Sequence, residues 1–517
     1  DVFTEGGRDI AFANYTPTWK LHRKIAGKAL RQYLAGNRLE EVVHSSMNKC
    51  LSLMAQENGP FDPENYIDLM VFNILHAVCF GKSAELDDPD FVRFMKIDRD
   101  FTDIIGKGFV EDMFPIMYKI CPTKKYRTVK EIFDEMIAMI ERKFREHEDT
   151  FDCDNIRDFT DSLILTRKEA EQDEEMMSQL TDTHLRQTLV DIFRGGIDTS
   201  RVTLYFAIRY MAGLPDIQSK VQEEINRVVG KDRLPGVNDR ESLCYTEATL
   251  HEAMRLGTVS AFGLPHCTVC DTHVGGYDVP KDTMVMINHW ALHHDPNYWK
   301  DVDKFDPTRY LDENGKLGIK PESWLPFSAG RRVCLGESIA KPELHLIFAT
   351  IMQRFEITMP DETNPELKLG GSVGLHRNIF RTKSVHALMM IMIMIIILSQ
   401  PRPYQTVVLN DINSVTEALV KSKADFANRP SIHSVDVLTE GGKDIAFANY
   451  TPTWKLHRKI AGKALRQYLA GNHLEKVLHD SMNKCLPLMA KEKGAFNPEN
   501  YIDLMVFNIL NAVCFGE

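Results

Sequence analysis

The chain has 517 residues, 44% of them hydrophobic and 26% charged, and its 62 basic against 73 acidic side chains give a net charge of −11. This composition excludes wholesale disorder, a collagen-like repeat and a polytopic membrane protein, and the acidic balance argues against nucleic acid as a partner. Ten cysteines are too few for a disulfide scaffold and indicate a reducing compartment or the cytosolic face of a membrane.

The two ends of the chain carry nearly the same sequence. Residues 1–81 recur as residues 436–516, and only 12 of the 81 positions differ. The long separation between the copies excludes a solenoid, whose units must stack on immediate neighbours. We therefore predict one unit over residues 1–387, an apolar, proline-containing segment over 388–403, and the start of a second, closely related unit over 404–517.

The boundary between the units is marked by an apolar run. Residues 388–398 carry no charge, and Pro401 and Pro403 follow, which end any helix there. Eleven residues fall short of the roughly 20 that a membrane-spanning helix needs. A buried strand or linker is one interpretation, and a truncated membrane anchor at the start of the second unit is the other.

Hydrophobic periodicity predicts that the first unit is mainly α-helical, with small β-sheets to one side. The predicted helices cover residues 66–80, 130–147, 183–214, 216–229, 246–256 and 337–355. Strand-like stretches cover residues 267–272 and 283–288.

The sequence from Phe327 to Gly336 places Cys334 after a glycine-containing turn and just before an apolar helix. Exposed backbone N–H groups and the positive helix end favour a thiolate there. Gly330 and Gly336 leave space for a flat group, and Arg332 offers a fork-shaped cation to a carboxylate. Haem with an axial sulfur ligand would need these features; a buried structural cysteine is the alternative.

This string resembles the haem-ligand loop of the cytochromes P450. The resemblance implies the cytochrome P450 fold, haem b as the cofactor and Cys334 as the axial ligand of the iron. It also assigns Phe327, Gly330, Arg332 and Gly336 to the haem-binding loop. Three further motifs follow the order that this family shows.

The first of these motifs, Gly195 to Ser200, lies midway along the long predicted helix. Two glycines there cost about 1 kcal/mol each in helix propensity, so a purely structural explanation is poor. They would open a groove, and a threonine can bond back to the carbonyl four residues earlier. The resemblance implies that Asp198 and Thr199 supply the protons used to cleave the O–O bond of O₂.

The second motif pairs opposite charges three residues apart, Glu252 and Arg255, on one helix face. A surface pair of this kind would mean little. Arg309 follows within the string Phe305 to Tyr310, and the resemblance implies that the three side chains form a buried structural network.

The third motif places Trp19 and Arg23 four residues apart on a probable helix. The resemblance implies that these two residues hold the haem propionates, together with His266 and Arg332. The second copy repeats the pair as Trp454 and Arg458, but no second loop of the Cys334 type follows, so we expect one haem per chain.

The resemblance implies a monooxygenase that inserts one oxygen atom of O₂ into a lipophilic substrate at the cytosolic face of the endoplasmic reticulum membrane. No phosphate-binding loop or dinucleotide fingerprint is present, so electrons must come from another protein; the family implies NADPH-cytochrome P450 reductase, with cytochrome b5 as a possible addition. Longer strings resemble the steroid 17α-hydroxylating branch and next the aryl-hydrocarbon-oxidising branch. A xenobiotic monooxygenase and an inactive truncated fragment are the alternatives.

The first unit departs from the family pattern. Thr258 and Ala261 stand where the family has prolines, and the family's membrane anchor and first strands and helices are absent before Trp19. Residues 404–435 resemble the missing strand and helix. They could fold back onto the first unit as in a circular permutation, pairing with the region 275–290, so that the Trp454 helix competes with the Trp19 helix. A fused or incomplete gene product is the simpler alternative, and we favour it.

Overall fold

The computed structural model describes residues 122–170, 182–358, 405–430, 444–446 and 448–468, together with single positions and short stretches between 10 and 97. The predicted segment 388–403 and the tail 359–387 lie outside these residues. The described part is mainly helical with small sheets, as the sequence predicts. None of its helices combines the length and the apolar character that crossing a membrane requires.

The helices follow the predicted order. They are α1 (Lys124–Asp149), α2 (Phe159–Ala170), α3 (Asp182–Gly213), α4 (Pro215–Val228), α5 (Cys244–Gly257), α6 (His289–His293), α7 (Glu337–Arg354), α8 (Ile412–Thr416) and α9 (Pro452–Tyr468). The boundary between α3 and α4 lies at Pro215, which cannot continue a helix but starts one well. Helix α1 begins six residues earlier than predicted, where the Thr123 side chain accepts a hydrogen bond from the Tyr126 N–H.

The strands are short and form three small sheets. They are β1 (Asn14–Tyr15), β2 (His266–Cys267), β3 (Thr272–Val274), β4 (Tyr277–Val279), β5 (Met284–Ile287), β6 (Thr406–Leu409) and β7 (Asn449–Tyr450). β3 and β4 form a hairpin, so the predicted strand over 267–272 is divided between two sheets. In the three-stranded sheet, β5 lies between β2 and β6.

The pairing of β5 with β6 joins distant parts of the sequence. The two strands run parallel, with Val285 opposite Val407 and Ile287 opposite Leu409. The fold-back of residues 404–435 onto the first unit requires this pairing. The sequence alone favours the other alternative, a fused or incomplete gene product. Residues 405–430 therefore pack on the body of the fold, and their neighbour β2 is linked to them by hydrogen bonds between the backbones of Cys267 and Asn428.

Two hydrophobic clusters hold these elements. The larger one surrounds α3, α5 and α7. In the smaller one, side chains of β5 and α6 meet side chains of β6, α8 and the following loop; its members include Val285, Ile287, Leu292, Leu409, Ile412, Val415 and Phe426. Burial of these apolar side chains stabilises the docking of residues 405–430 on the sheet.

A buried polar network joins α1 to α2. The His147 ring contacts the Lys143 carbonyl through Nδ1 and the Asp158 carboxylate through Nε2, each at 2.7 Å. Because both ring nitrogens face acceptors, the ring fits this position best as a doubly protonated cation. Burial opposes that charge, but Asp158 and Asp161 outweigh the penalty, and the pKa of His147 is raised above its usual value.

Candidate active site

A cavity of about 300 Å³ lies where α3 passes the loop that carries Cys334. Its lining brings together residues that are far apart in the sequence, among them Arg23, Gly195, Thr199, Phe327, Arg332 and Cys334. Apolar side chains such as Ile192, Ile339 and Leu344 form much of the remaining wall. The cavity thus combines the Cys334 thiol with several hydroxyl-bearing side chains, Thr199 among them, within a largely apolar enclosure.

The Cys334 loop is held by unusual backbone conformations. Ser328 and Gly330 have positive φ angles of 60° and 75°, and the Cys334 N–H donates a hydrogen bond to the Phe327 carbonyl at 2.9 Å. The Cys334 side chain is exposed toward the cavity. Desolvation raises the pKa of its thiol, and the backbone N–H groups of Gly336 and Glu337 oppose that rise. The helix end therefore favours the thiolate, as predicted, but does not outweigh desolvation.

The two loop glycines meet different neighbours. At Gly330 an added Cβ would collide with the carbonyl group of Leu419, so this glycine is required by the close approach of residues 405–430 as well as by its positive φ. At Gly336, which caps α7, an added Cβ would lie 3.9 Å from the Cys334 sulfur. The group that approaches Gly330 closely is thus the backbone carbonyl of Leu419.

Helix α3 presents its glycine motif to the cavity. An added Cβ at Gly195 would meet no atom within 4 Å, so the predicted groove is present. The Thr199 hydroxyl donates to the Gly195 carbonyl at 2.7 Å, the backward bond that the sequence predicts. Asp198 pairs with Arg201 at 2.7 Å, and it does not belong to the residues that line the cavity.

Titratable residues that the sequence analysis did not identify as site residues also line the cavity, among them Asp191, His289 and Glu343. Burial raises the pKa of both carboxyl groups well above their usual range and lowers the pKa of His289 to about 4. Both carboxyl groups are therefore shifted toward their neutral form, and the His289 ring is neutral near pH 7. A single acid within an apolar helical run is the signal that could have revealed Asp191 and Glu343.

The structure brings Glu252, Arg255 and Arg309 together. Two bonds of 2.8 Å join the Glu252 carboxylate to the Arg255 guanidinium, and Arg309 Nε lies 3.2 Å from the same carboxylate. Arg255 also donates to the carbonyls of His293 and Val302, each at 2.8 Å. Both charges of the Glu252–Arg255 pair are fully buried, and their hydrogen bonds compensate for the loss of water.

The structure places the residues predicted to hold the haem propionates at buried positions. Trp19 is buried, and its indole N–H donates to the Ile10 carbonyl at 3.0 Å. Arg23 is buried, lines the cavity and lies over the Trp19 ring. His266 is buried, but it is not among the residues that line the cavity; its Nδ1 contacts the Phe426 carbonyl at 2.9 Å.

Arg332 is the most extensively bonded of these residues. It donates to the backbone carbonyls of Ala427 at 2.8 Å, Ile445 at 3.1 Å and Ala446 at 3.2 Å, and also to that of Ala448. All four acceptors belong to residues 427–448, beyond the first predicted unit. Arg332 therefore connects the Cys334 loop to the C-terminal part of the chain.

These features fit the haem that the Cys334 motif predicts. The thiol faces a groove that Gly195 leaves open, and cationic side chains lie at the rim. Arg458, which repeats Arg23, donates from Nη2 to the Val333 carbonyl at 3.2 Å, while its buried Nη1 has no hydrogen-bond partner among the described residues. A buried guanidinium N–H directed at this region is what a haem carboxylate would satisfy.

Comparison with known proteins agrees with this chemistry. The family model described as cytochrome P450 matches residues 3–383 and 395–517. The steroid 17-alpha-hydroxylase/17,20 lyase of Gallus gallus is 36% identical over 390 residues, which cover 74% of this chain and 77% of that protein. The corresponding enzyme of Squalus acanthias is 34% identical over 375 residues, 72% and 74% of the two chains. Cytochrome P450 1A1 of Pleuronectes platessa is 33% identical over 375 residues, 70% and 72% of the two chains. The chain belongs to the cytochrome P450 family.

Proposed function

We propose that this chain is a haem-thiolate monooxygenase that hydroxylates a steroid, with Cys334 as the ligand of the haem iron. The observation that carries this proposal is the placement of the Cys334 thiol and the Thr199 hydroxyl in one largely apolar cavity. The haem, when bound, supplies the activation of O₂, with the thiolate donating electron density to the iron. The protein must then position the substrate, deliver protons and limit the entry of water.

Thr199 is suited to the handling of protons inside the cavity. Its hydroxyl donates to the Gly195 carbonyl, and the missing side chain of Gly195 leaves open space beside it. Asp198 lies on the adjacent position, half-buried and paired with Arg201. We assign to Asp198 the supply of protons from the solvent side and to Thr199 their transfer into the groove.

The rim of the cavity is suited to hold the carboxylates of the haem. Trp19, Arg23, His266 and Arg332 are all buried in this region. Burial and the neighbouring Arg429 and Arg332 keep the pKa of His266 well below its usual value, so the ring is neutral and adds no charge to this region. Its single N–H is directed at the Phe426 carbonyl. The cationic groups supply the charge that two carboxylates require.

A steroid fits the proposed site because the wall is apolar and the most similar relatives named above oxidise steroids. A planar aromatic hydrocarbon is the second candidate, because the cytochrome P450 1A1 relative is nearly as similar. Both substrates would bind by burial of apolar surface, so shape must discriminate between them.

We assign the electron supply to NADPH-cytochrome P450 reductase, with cytochrome b5 as a possible second donor, at the cytosolic face of the endoplasmic reticulum membrane. The charge on the outer side of the Cys334 loop is suited to the docking of an oppositely charged electron donor. A groove of about 840 Å³ lies there, and Arg331, Lys341 and Arg458 line it although the whole chain is acidic. Positive side chains around the thiol would attract an acidic electron donor and orient it.

The reduced carbon-monoxide difference spectrum tests the proposed ligand. We expect a red-shifted Soret band from the purified full chain and its loss in Cys334→Ser, which removes the sulfur but retains the volume of the side chain. Cys270→Ser is the matched control, since Cys270 is exposed and lies on a separate loop. A mutant that keeps the band would refute the assignment of Cys334.

Incubation with ¹⁸O₂ and the reductase tests the reaction and the substrate class. A panel of steroids and planar aromatic hydrocarbons should give a hydroxylated steroid that carries one labelled oxygen atom. Labelled aromatic products alone would favour the second candidate. Arg331→Glu should slow reduction more at low ionic strength than at high ionic strength, because salt screens exposed charges.

A further inference from the structure

Where both copies of the repeated sequence are described, corresponding side chains overlap in the structure. Trp19 and Trp454 occupy corresponding positions, and their indole rings are within 7° of parallel and closer than two stacked rings can approach. The rings of His22 and His457, which also correspond, overlap in the same way. Two side chains cannot fill one volume, so only one copy can occupy this place at a time.

The same groups of the protein receive both copies. The Asp191 carboxylate accepts a hydrogen bond from the backbone N–H of Ile10 and from that of the corresponding Ile445. The Arg332 guanidinium lies over both indoles, 3.8 Å from the Trp19 ring centroid and 4.2 Å from that of Trp454. We call this receiving surface, formed by Asp191, Arg332 and His184, the shared docking site.

His184 completes the shared docking site on α3. Its ring meets the ring of His22 edge to face at 6.0 Å and that of His457 at 4.6 Å. The short strands β1 and β7 lie next to each other in register, with Asn14 opposite Asn449, so corresponding residues of the two copies are neighbours here as well.

The sequences of the two copies give neither an advantage in these contacts. Residues 9–37 and 444–472 are identical, and the nearest differences are Arg8 against Lys443 and Arg38 against His473. The intrinsic contacts of the two segments with the docking site are therefore equal. Which copy docks can therefore depend only on the connections to the rest of the chain and on residues outside these identical stretches.

We propose that the segment carrying Ile10, Trp19 and Arg23 and the segment carrying Ile445, Trp454 and Arg458 are alternative occupants of the shared docking site within one molecule. Each chain then holds one tryptophan–arginine pair at the rim of the cavity, either Trp19 with Arg23 or Trp454 with Arg458. The other pair is released. The two pairs are interchangeable, so the loss of either one is compensated by the other.

Fluorine NMR of the full chain labelled with 5-fluorotryptophan tests this exchange without haem or turnover. The chain has only five tryptophans, and the signals of Trp19 and Trp454 are assigned from Trp19→Ala and Trp454→Ala. We expect each of the two to show a docked, solvent-protected signal and a released, solvent-exposed signal. Removal of one indole should shift the other entirely to its docked signal.

Trp290→Ala is the matched control, because Trp290 is a partly exposed indole outside the docking site, and it should leave both fractions unchanged. A released fraction of one ring that does not respond to removal of the other would refute the proposal. A docked fraction that rises with protein concentration would show docking between molecules and refute exchange within one molecule.

Haem content provides a second readout. Either single alanine variant should retain about the haem content of the unmodified chain, whereas the double variant should lose it by about tenfold or more, because a large buried side chain is then missing from both copies. Loss in one single variant alone would show that this copy is the sole occupant. The NMR result stands apart from the proposed monooxygenase function, since it requires only the folded chain.

Discussion

Two buried arginines, Arg255 and Arg332, are held in opposite ways. Arg255 is paired with the Glu252 carboxylate three residues earlier, and its other acceptors lie between His293 and Lys304. The hydrogen bonds described for Arg332 reach backbone carbonyls of residues 427–448, about a hundred residues later. The first site is complete within the first unit, whereas the second depends on how the C-terminal part of the chain docks.

The largest effect should follow from Glu252→Gln. The change leaves Arg255 and Arg309 buried without their carboxylate, and breaking such a pair costs about 3–5 kcal/mol. Urea unfolding followed by circular dichroism should show this loss. Glu241→Gln, at an exposed position just before α5, is the control and should change stability little; equal losses in the two variants would show that the network is not stabilising.

Arg332→Lys should cost less, about 2–3 kcal/mol, because an ammonium group cannot reach the separated carbonyls that the guanidinium bridges. Hydrogen exchange should become faster in β6 and α8 but remain unchanged in α5. The exposed neighbour Arg331 provides the control as Arg331→Lys. If exchange in α5 also accelerated, the two regions would not be independent.

Gly330→Ala tests the contact between the Cys334 loop and Leu419. It combines the cost of a positive φ with a collision against the Leu419 carbonyl, and we expect a loss of about 2 kcal/mol. Gly315→Ala is a closely matched control, because Gly315 has a φ of 73° and no atom within 4 Å of an added Cβ. Equal losses in both variants would mean that residues 405–430 do not approach the loop.

The smallest effect should come from His147, which belongs to the polar network between α1 and α2. Its pKa is raised in the folded state, so its stabilising contribution is complete below the unfolded pKa of about 6.5 and is lost as the pH rises through the folded value. The unfolding free energy of the unmodified chain should therefore fall between pH 6 and pH 9 more than that of His147→Gln. His273→Gln, at an exposed hairpin position, should retain the full pH dependence.

Local sequence signals predicted well the part of the fold that is complete within the first unit, including the site around Glu252 and Arg255. The Glu252–Arg255 spacing is that of neighbours on one helix face, and the apolar run that ends before Pro215 fixed the end of α3 to within one residue. The Cys334 motif likewise predicted a turn followed by a helix, because glycine at positive φ and an open helix end leave few alternatives.

The sequence predicted less where distant segments meet. It favoured a fused or incomplete gene product over docking of residues 404–435, because pairing with β5 depends on a free strand edge that only the fold creates. It also assigned the open space of Gly330 to a flat ligand, whereas the Leu419 carbonyl approaches there. Such contacts depend on packing and leave no local pattern.

The parallel pairing of β5 with β6 also sets an order in time. β6 is synthesised about 120 residues after β5, which corresponds to roughly 6–24 seconds at the usual speed of translation. During that interval the edge of β5 that later pairs with β6 is open, since only its other edge pairs with β2. The N-terminal copy of the repeat has by then already left the ribosome. Until the C-terminal copy has been synthesised, Asp191 and Arg332 can contact only Ile10 and Trp19 of the N-terminal copy.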